Sequence, residues 1–172
     1  MKDGNKYLID TNSLITPQHH FYPFDFAPRF WEQMKEHIAS GKIAILDMVK
    51  AEILQGTDEL QEWFSTIVIG EYIDRRESDI LVSYSKVLQH VQENPCYKQS
   101  ALQEWAKASV ADPWLIATAM SRGYTIVTFE VCNNNLSVKQ PSKNAKIPDV
   151  ARCFGVQTIT LYEMMRALSF SL

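Results

Sequence analysis

Cysteine is scarce in this chain, and its few copies stand far apart. Cys96, Cys132 and Cys153 form no C-x-x-C pair and show no cysteine–histidine ligand spacing. An odd number of cysteines at such distances supports neither a disulfide framework nor a zinc site. We therefore expect a reduced, cytoplasmic protein rather than a disulfide-stabilised secreted one.

Long apolar runs and an excess of positive charge are also missing. No run approaches the ~18 residues of a membrane-spanning helix, and no apolar segment of a signal peptide follows the first residues, Met-Lys-Asp-Gly-Asn. The formal net charge of -3 excludes a broadly basic protein that coats nucleic acid, although it permits a local basic patch. We expect no contact with a membrane.

What the chain does contain is enough apolar residues for one ordinary core. Its 172 residues, 46% of them hydrophobic, predict a single domain over 1–172. Continuous apolar runs predict buried strands at 7–10, 42–46, 124–129 and 156–160. Because such strands are apolar on both faces and helical segments separate them, we expect an α/β three-layer α/β/α sandwich with a parallel sheet of four to five strands.

Helical periodicity and capping signals predict the segments between these strands. The residues Leu81, Tyr84, Leu88 and Val91 are expected to form the buried face of a long helix that ends at Asn94-Pro95. The aromatic stretch "TPQHHFYPFDF" at 16–26 is expected to be a loop. The predicted helices span 28–40, 47–56, 58–67, 99–108, 112–122, 149–154 and 161–169.

Acidic residues recur close to the predicted strand ends. Asp10 ends the first strand, and Glu52 lies on the helix after the second. Asp112 opens the helix before the third strand, Glu130 ends that strand, and Asp149 opens the helix before the fourth. In open parallel sheets, ligands bind outside the carboxyl ends of the strands, so we expect at least four of these acids at one edge.

Each acid also has a structural explanation when it is taken alone. Asp112 before Pro113 fits a helix N-cap, Asp149 fits a first-turn acid, and Asp10 fits an Asx-type turn. Carboxylates packed together repel unless a cation neutralises them. Oxygen ligands without Cys or His select Mg²⁺ or Mn²⁺, and such an ion activates water for phosphodiester hydrolysis.

Four segments resemble, in order and spacing, the acidic motifs of the PIN-domain family. They are "YLIDTNSLI", "AEIL", "ADPWLIATAM" and "YTIVTFE". PIN domains are small α/β metal-dependent nucleases that include the VapC-type toxins of bacterial toxin–antitoxin pairs. The resemblance covers essentially the whole chain, and the segment "KIPDV" is similar to that of a PIN-like subgroup.

The resemblance implies a role for each acid. Metal binding and catalysis are implied for Asp10, Glu52, Asp112 and Glu130, and metal binding for Asp149 in "KIPDV". Glu130 stands where the family usually has aspartate, two residues after Thr128. Supporting roles, in which polar side chains orient Asp10 or a metal-bound water, are implied for Thr11, Asn12, Ser13 and Thr128.

The function that the resemblance implies is an endoribonuclease with Mg²⁺ or Mn²⁺ as cofactor and RNA as substrate. It would be the toxin of a bacterial type II toxin–antitoxin system, with a cognate antitoxin as partner and a homodimer as assembly. An acid-free stretch at 131–148 carries Lys139, Lys143 and Lys146. These lysines fit phosphate contacts and equally fit an ordinary solvated loop.

The sequence is also compatible with two other functions. An Asp-nucleophile phosphatase also places an aspartate after its first strand, but it usually needs a second acid two residues later, where this chain has Asn12. A non-catalytic PIN-like module that binds RNA or protein is compatible with the glutamate at position 130. The nucleic acid itself is also open among transfer, ribosomal and messenger RNA and single-stranded DNA.

Overall fold

The computed structural model describes residues 5–172, in which short strands alternate with helices. The N-terminal residues 1–4, part of the stretch expected to carry no signal peptide, lie outside the described residues. The strands are β1 (Tyr7–Ile9), β2 (Ile43–Leu46), β3 (Tyr72–Ile73), β4 (Thr125–Val127) and β5 (Thr158–Ile159).

Most of the helices agree with the predicted segments to within a few residues. A π-helix, Pro17–Phe21, lies between the first two α-helices. The α-helices are α1 (Asn12–Thr16), α2 (Pro28–Ala39), α3 (Asp47–Leu54), α4 (Glu59–Ser65), α5 (Ser78–Glu93), α6 (Gln99–Trp105), α7 (Asp112–Arg122), α8 (Ile147–Cys153) and α9 (Leu161–Ala167). Within 5–172, none of these helices is long and apolar enough to cross a membrane.

The five strands form one parallel sheet in the order β3-β2-β1-β4-β5. In its centre, Tyr7 of β1 is level with Ile43 of β2 and with Thr125 of β4. All residues of β1, β2 and β4 are buried, as expected for a parallel sheet with both faces covered. The predicted α/β fold with a parallel sheet is confirmed, and the element order is that of a three-layer α/β/α sandwich.

The chain divides into two compact units, which we call the sheet unit and the helical unit. The sheet unit contains the described residues up to Asp74, Thr125–Phe129 and Ile159–Leu172. The helical unit contains Arg75–Tyr124 and Glu130–Thr158, with helices α5 to α8. The expectation of a single domain over 1–172 stays a prediction.

The aromatic stretch at 16–26 is not the continuous loop that the sequence predicts. Thr16 ends α1, and the π-helix then runs to Phe21, where the backbone N–H of Tyr22 donates to the carbonyl oxygen of Pro17 over 2.6 Å. Pro17 is tolerated there because the first residue of a helix needs no N–H donor. The sequence pattern did not indicate this helix, because proline and histidine have low helix propensity.

The predicted buried face of α5 is wrong by one position for three of its four residues, and only Val91 is confirmed. Ile80, Ser83, Val87 and Val91 are buried, whereas Leu81 is 43% exposed. The buried polar residue explains the difference, because the Ser83 hydroxyl lies 3.0 Å from that of Ser121 on α7 and is hydrogen-bonded to it. An apolar pattern alone assigns such a serine to the solvent side.

Gly70 closes the turn that leads into β3, a strand the sequence did not predict. Its N–H donates to the carbonyl oxygen of Ile38 over 3.0 Å. A Cβ on Gly70 would overlap the carbonyl oxygen of Ala39 and lie 2.7 Å from the nitrogen of Gly41. Both obstacles are backbone atoms, so neither can rotate away.

We expect Gly70→Ala to lower the free energy of unfolding by about 3 kcal/mol, the upper range for overpacking. The control is Gly41→Ala, where the added Cβ would lie 3.4 Å from that of Glu71 and the φ of +75° is the main obstacle. That backbone conformation costs roughly 1 kcal/mol. Urea unfolding measures both variants, and equal losses would contradict the close approach at Gly70.

Candidate metal-binding site

Asp10 lies at the carboxyl end of β1, at the centre of the sheet. Successive strands extend from β1 through β2 on one side and through β4 on the other, so the switch point of the sheet falls between β1 and β4. The N–H of Asp10 donates to the carbonyl oxygen of Val127 over 3.0 Å. Its Oδ2 accepts a hydrogen bond from Thr128 Oγ1 over 3.0 Å, and the residue is 7% exposed. The carboxylate is therefore buried and oriented.

Glu52 lies on α3, the helix that follows β2. Its Oε2 accepts a hydrogen bond from Thr11 Oγ1 over 2.7 Å, a length typical of a hydroxyl bound to a carboxylate. Thr11 is buried, whereas Glu52 is exposed. Thr11, which holds Glu52, directly follows Asp10 in the chain, so the sheet unit contains two carboxylates that each accept a hydrogen bond from a threonine hydroxyl. We call Asp10 and Glu52 the acid pair.

The other two predicted supporting residues have different surroundings. Ser13 is fully buried, and its Oγ donates to the carbonyl oxygen of Val127 over 3.1 Å. It therefore fastens α1 to the end of β4. Asn12 is exposed at the first residue of α1, and its role in orienting Asp10 or a metal-bound water stays a prediction.

Asp112 belongs to the helical unit and is half-buried at the start of α7. Its alternative explanation as a helix N-cap is wrong, because Ala111 occupies the N-cap position and Asp112 is the first helical residue. A carboxylate in the first turn interacts favourably with the helix dipole. The metal role of Asp112 stays a prediction.

Glu130 and Asp149 both anchor the segment 131–146 within the helical unit. Glu130 Oε1 accepts a hydrogen bond from Lys146 Nζ over 3.2 Å, and its Oε2 accepts one from the N–H of Ile147 over 2.7 Å. Asp149 is 4% exposed, and its Oδ2 accepts a hydrogen bond from the N–H of Asn133 over 3.0 Å. The structure thus gives each acid a structural partner, and their metal roles stay predictions.

The three candidate phosphate-binding lysines are not equivalent. Lys139 and Lys143 are exposed, whereas Lys146 forms an ion pair with Glu130. Sequence reasoning missed this pair because its two residues are 16 positions apart and no local pattern connects them. Lys139 and Lys143 are therefore the better candidates for a nucleic-acid contact.

The buried phenol of Tyr97 shows the electrostatic effect of Asp149. Burial raises the pKa of Tyr97 well above its usual value, and the negative charge of Asp149 raises it further. Tyr97 acts as a structural residue, whose backbone forms a bridge with Ser142 in the segment that Asp149 anchors.

The donor chemistry of the acid pair fits a hard divalent cation. Within 5–172, no group of three or more His, Cys, Asp or Glu side chains is arranged to hold a metal ion. Mg²⁺ commonly binds through one or two carboxylates, with water and substrate phosphates as its other ligands. Asp10 and Glu52 supply that number of carboxylates, and the neighbouring threonines supply the orienting bonds that metal-binding carboxylates usually have.

Fold and site together define an α/β protein with a parallel sheet and an oriented pair of acids at its carboxyl edge. A family model described as a domain of unknown function, DUF4411, matches residues 7–172. The chain belongs to this DUF4411 family. No curated protein matches the chain.

We expect Thr128→Val to lower the free energy of unfolding by roughly 1–3 kcal/mol, because it removes a donor from the buried Asp10 carboxylate. Thr128→Ser keeps the hydroxyl and should lose less. Urea unfolding of the two variants measures the difference. A valine variant as stable as the serine variant would show that this hydrogen bond does not hold Asp10.

Proposed function

We propose that the protein is a Mg²⁺- or Mn²⁺-dependent endoribonuclease. The observation that carries the proposal is the acid pair, Asp10 and Glu52, at the carboxyl edge of a parallel sheet with a threonine hydroxyl on each carboxylate. When bound, the ion supplies Lewis-acid stabilisation and an activated water for phosphodiester hydrolysis. No Cys or His takes part in the pair, which favours these two ions over zinc.

The two residues of the acid pair would contribute differently to metal binding, because one is buried and the other is exposed. Asp10 is buried and held by Thr128, so it provides a fixed ligand whose position does not depend on substrate. Glu52 is exposed and held by Thr11, so it provides a ligand on the side open to solvent and to a substrate phosphate. Loss of either hydroxyl should weaken metal binding through disorder of the carboxylate.

The resemblance of the acidic motifs to PIN domains supports RNA as the substrate and extends the proposal. It makes the protein the toxin of a bacterial type II toxin–antitoxin pair, which acts in the cytoplasm, binds a cognate antitoxin and forms a homodimer. It also makes Asp112 a further metal ligand. The three cysteines, none of them in a disulfide, agree with a reducing compartment.

One observation favours a second candidate, a non-catalytic RNA-binding module. Glu130, expected at a metal-binding position, forms an ion pair with Lys146 and accepts the Ile147 N–H instead. A protein that binds Mn²⁺ and RNA yet leaves RNA intact would establish this alternative.

We expect the purified protein to cleave total cellular RNA in Mn²⁺ and to lose this activity in EDTA. Asp10→Asn and Glu52→Gln should each reduce cleavage by at least about 100-fold, since even residues behind the ligands contribute 10- to 100-fold. Glu36→Gln is the matched control, because Glu36 is an exposed glutamate on α2 of the same unit. Discrete products on a gel would also show which RNA is cut.

Calorimetric titration with Mn²⁺ separates metal binding from hydrolysis. The two pair variants should lose Mn²⁺ affinity while Glu36→Gln keeps it. Asp112→Asn tests the predicted third ligand: a loss of Mn²⁺ affinity would support that role, and a change in stability alone would assign it to the first turn of α7. Cleavage that persists in Asp10→Asn and in EDTA would refute the metal nuclease.

We expect Lys139→Ala/Lys143→Ala to weaken RNA binding in EDTA and to make it less sensitive to salt. Removal of one lysine–phosphate interaction with a single strand should reduce the slope of log K against log salt by about 0.7. Lys86→Ala, an exposed lysine on α5, serves as the control. An unchanged slope in the double variant would show that segment 131–146 does not contact phosphates.

A further inference from the structure

Five aromatic rings in the sheet unit form a continuous series on its surface. The ring centroids of His19 and His20 lie 6.2 Å apart, and those of His20 and Phe21 lie 6.3 Å apart. Phe21 in turn lies 6.3 Å from Phe129 and 6.5 Å from Tyr162. We call these five residues the aromatic strip.

Four of the five rings of the strip are exposed to solvent, and Phe129 is half-buried. Phe21 is 44% exposed and Tyr162 is 37% exposed, while His19 and His20 are both exposed. Single exposed aromatic residues are common on protein surfaces, but a contiguous series indicates a binding surface. Three of the rings lie on the π-helix, a conformation often found at functional sites.

Other aromatic residues of the same segment pack against the core. Tyr22 packs against Phe30 with centroids 4.6 Å apart, and Phe24 stacks on Trp31 at 4.4 Å. The stretch at 16–26 therefore sends one part of its aromatic residues into the core and leaves another part at the surface. The exposed part calls for an explanation other than stability.

The strip leads to the carboxyl edge of the sheet. Phe129 directly follows Thr128, whose hydroxyl donates to Asp10. At the other end, His19 Nε2 lies 3.7 Å from Asp58 Oδ2, and Asp58 also accepts the N–H of Gln61 as the N-cap of α4. The series thus contacts a fixed element, the N-cap of α4, at one end and includes at the other the residue that follows the partner of Asp10 in the chain.

We propose that the aromatic strip stacks the unpaired bases of a single-stranded RNA substrate, an inference that rests on the proposed nuclease function. Stacking on aromatic rings is independent of base sequence, since every base has a π-face. A chain with a formal net charge of -3 offers little general attraction for phosphates, so contacts with bases gain importance. Bases held on the strip would place the adjoining backbone at the acid pair.

The test is RNA binding in EDTA, measured by fluorescence anisotropy with a labelled single strand of about 12 nucleotides, within the usual site size of such surfaces, and with the matching duplex. The wild-type protein should prefer the single strand. Phe21→Ala should weaken its binding by roughly 5- to 150-fold, the range for loss of one base–aromatic stack. Phe21→Trp should restore it, and Phe26→Ala, which removes a phenylalanine 81% exposed outside the strip, should leave it unchanged.

Several outcomes would overturn the proposal. Equal binding of duplex and single strand, equal losses in Phe21→Ala and Phe26→Ala, or no rescue by tryptophan would each exclude base stacking on the strip. Absence of RNA binding by the wild-type protein would also overturn it and would leave the strip to a protein partner. Thermal unfolding of Phe21→Ala checks that the fold is intact.

The same experiments separate this proposal from the nuclease function. If Asp10→Asn abolishes cleavage while Phe21→Ala binds normally, the nuclease stands and the strip fails. If Phe21→Ala loses single-strand binding in EDTA while cleavage is absent from the wild type, the strip stands and the nuclease fails.

Discussion

The carbonyl oxygen of Val127 determines where the candidate site forms. It accepts the backbone N–H of Asp10 over 3.0 Å and the hydroxyl of Ser13 over 3.1 Å. The first bond extends the pairing of β1 with β4 by one residue, and the second fixes the start of α1 against the same strand end. Because these bonds hold Asp10 in line with the sheet, Thr128, the next residue after Val127, can donate to its carboxylate.

The five acids that look alike in the sequence perform different tasks in the structure. In the sheet unit, Asp10 and Glu52 accept hydrogen bonds from threonine hydroxyls, which orient a carboxylate without neutralising it. In the helical unit, Glu130 accepts hydrogen bonds from a lysine and from a backbone N–H. Asp149 accepts one from a backbone N–H of the segment that it anchors. The ion pair of Glu130 and the backbone anchoring by Asp149 give both acids a structural role, whereas hydrogen bonds of the kind that hold Asp10 and Glu52 are also found on metal-binding carboxylates.

The sequence allowed prediction of the elements whose signals are local. Strands β1 and β2 are continuous apolar runs, and α7 ends before Gly123, whose φ of +70° only glycine adopts easily. Strand β3 was not predicted because it has two residues, one of them exposed. The bonds of Thr11 with Glu52 and of Thr128 with Asp10 join residues 41 and 118 positions apart. Local patterns contain no information on such pairs, so the sequence placed the acids but not their partners.

The proposed metal and the aromatic strip are linked because the acid pair would fill only some of the ligand positions of the metal. Two carboxylates meet part of the ligand requirement of Mg²⁺, and the rest falls to water and substrate phosphates. Metal affinity and RNA affinity should therefore depend on each other. An acidic protein gains little from long-range attraction of RNA, so a contact independent of charge would help to keep the phosphate in place beside any lysine contacts. The proposed stacking of bases on the aromatic strip, whose Phe129 directly follows Thr128 in the chain, would provide such a contact.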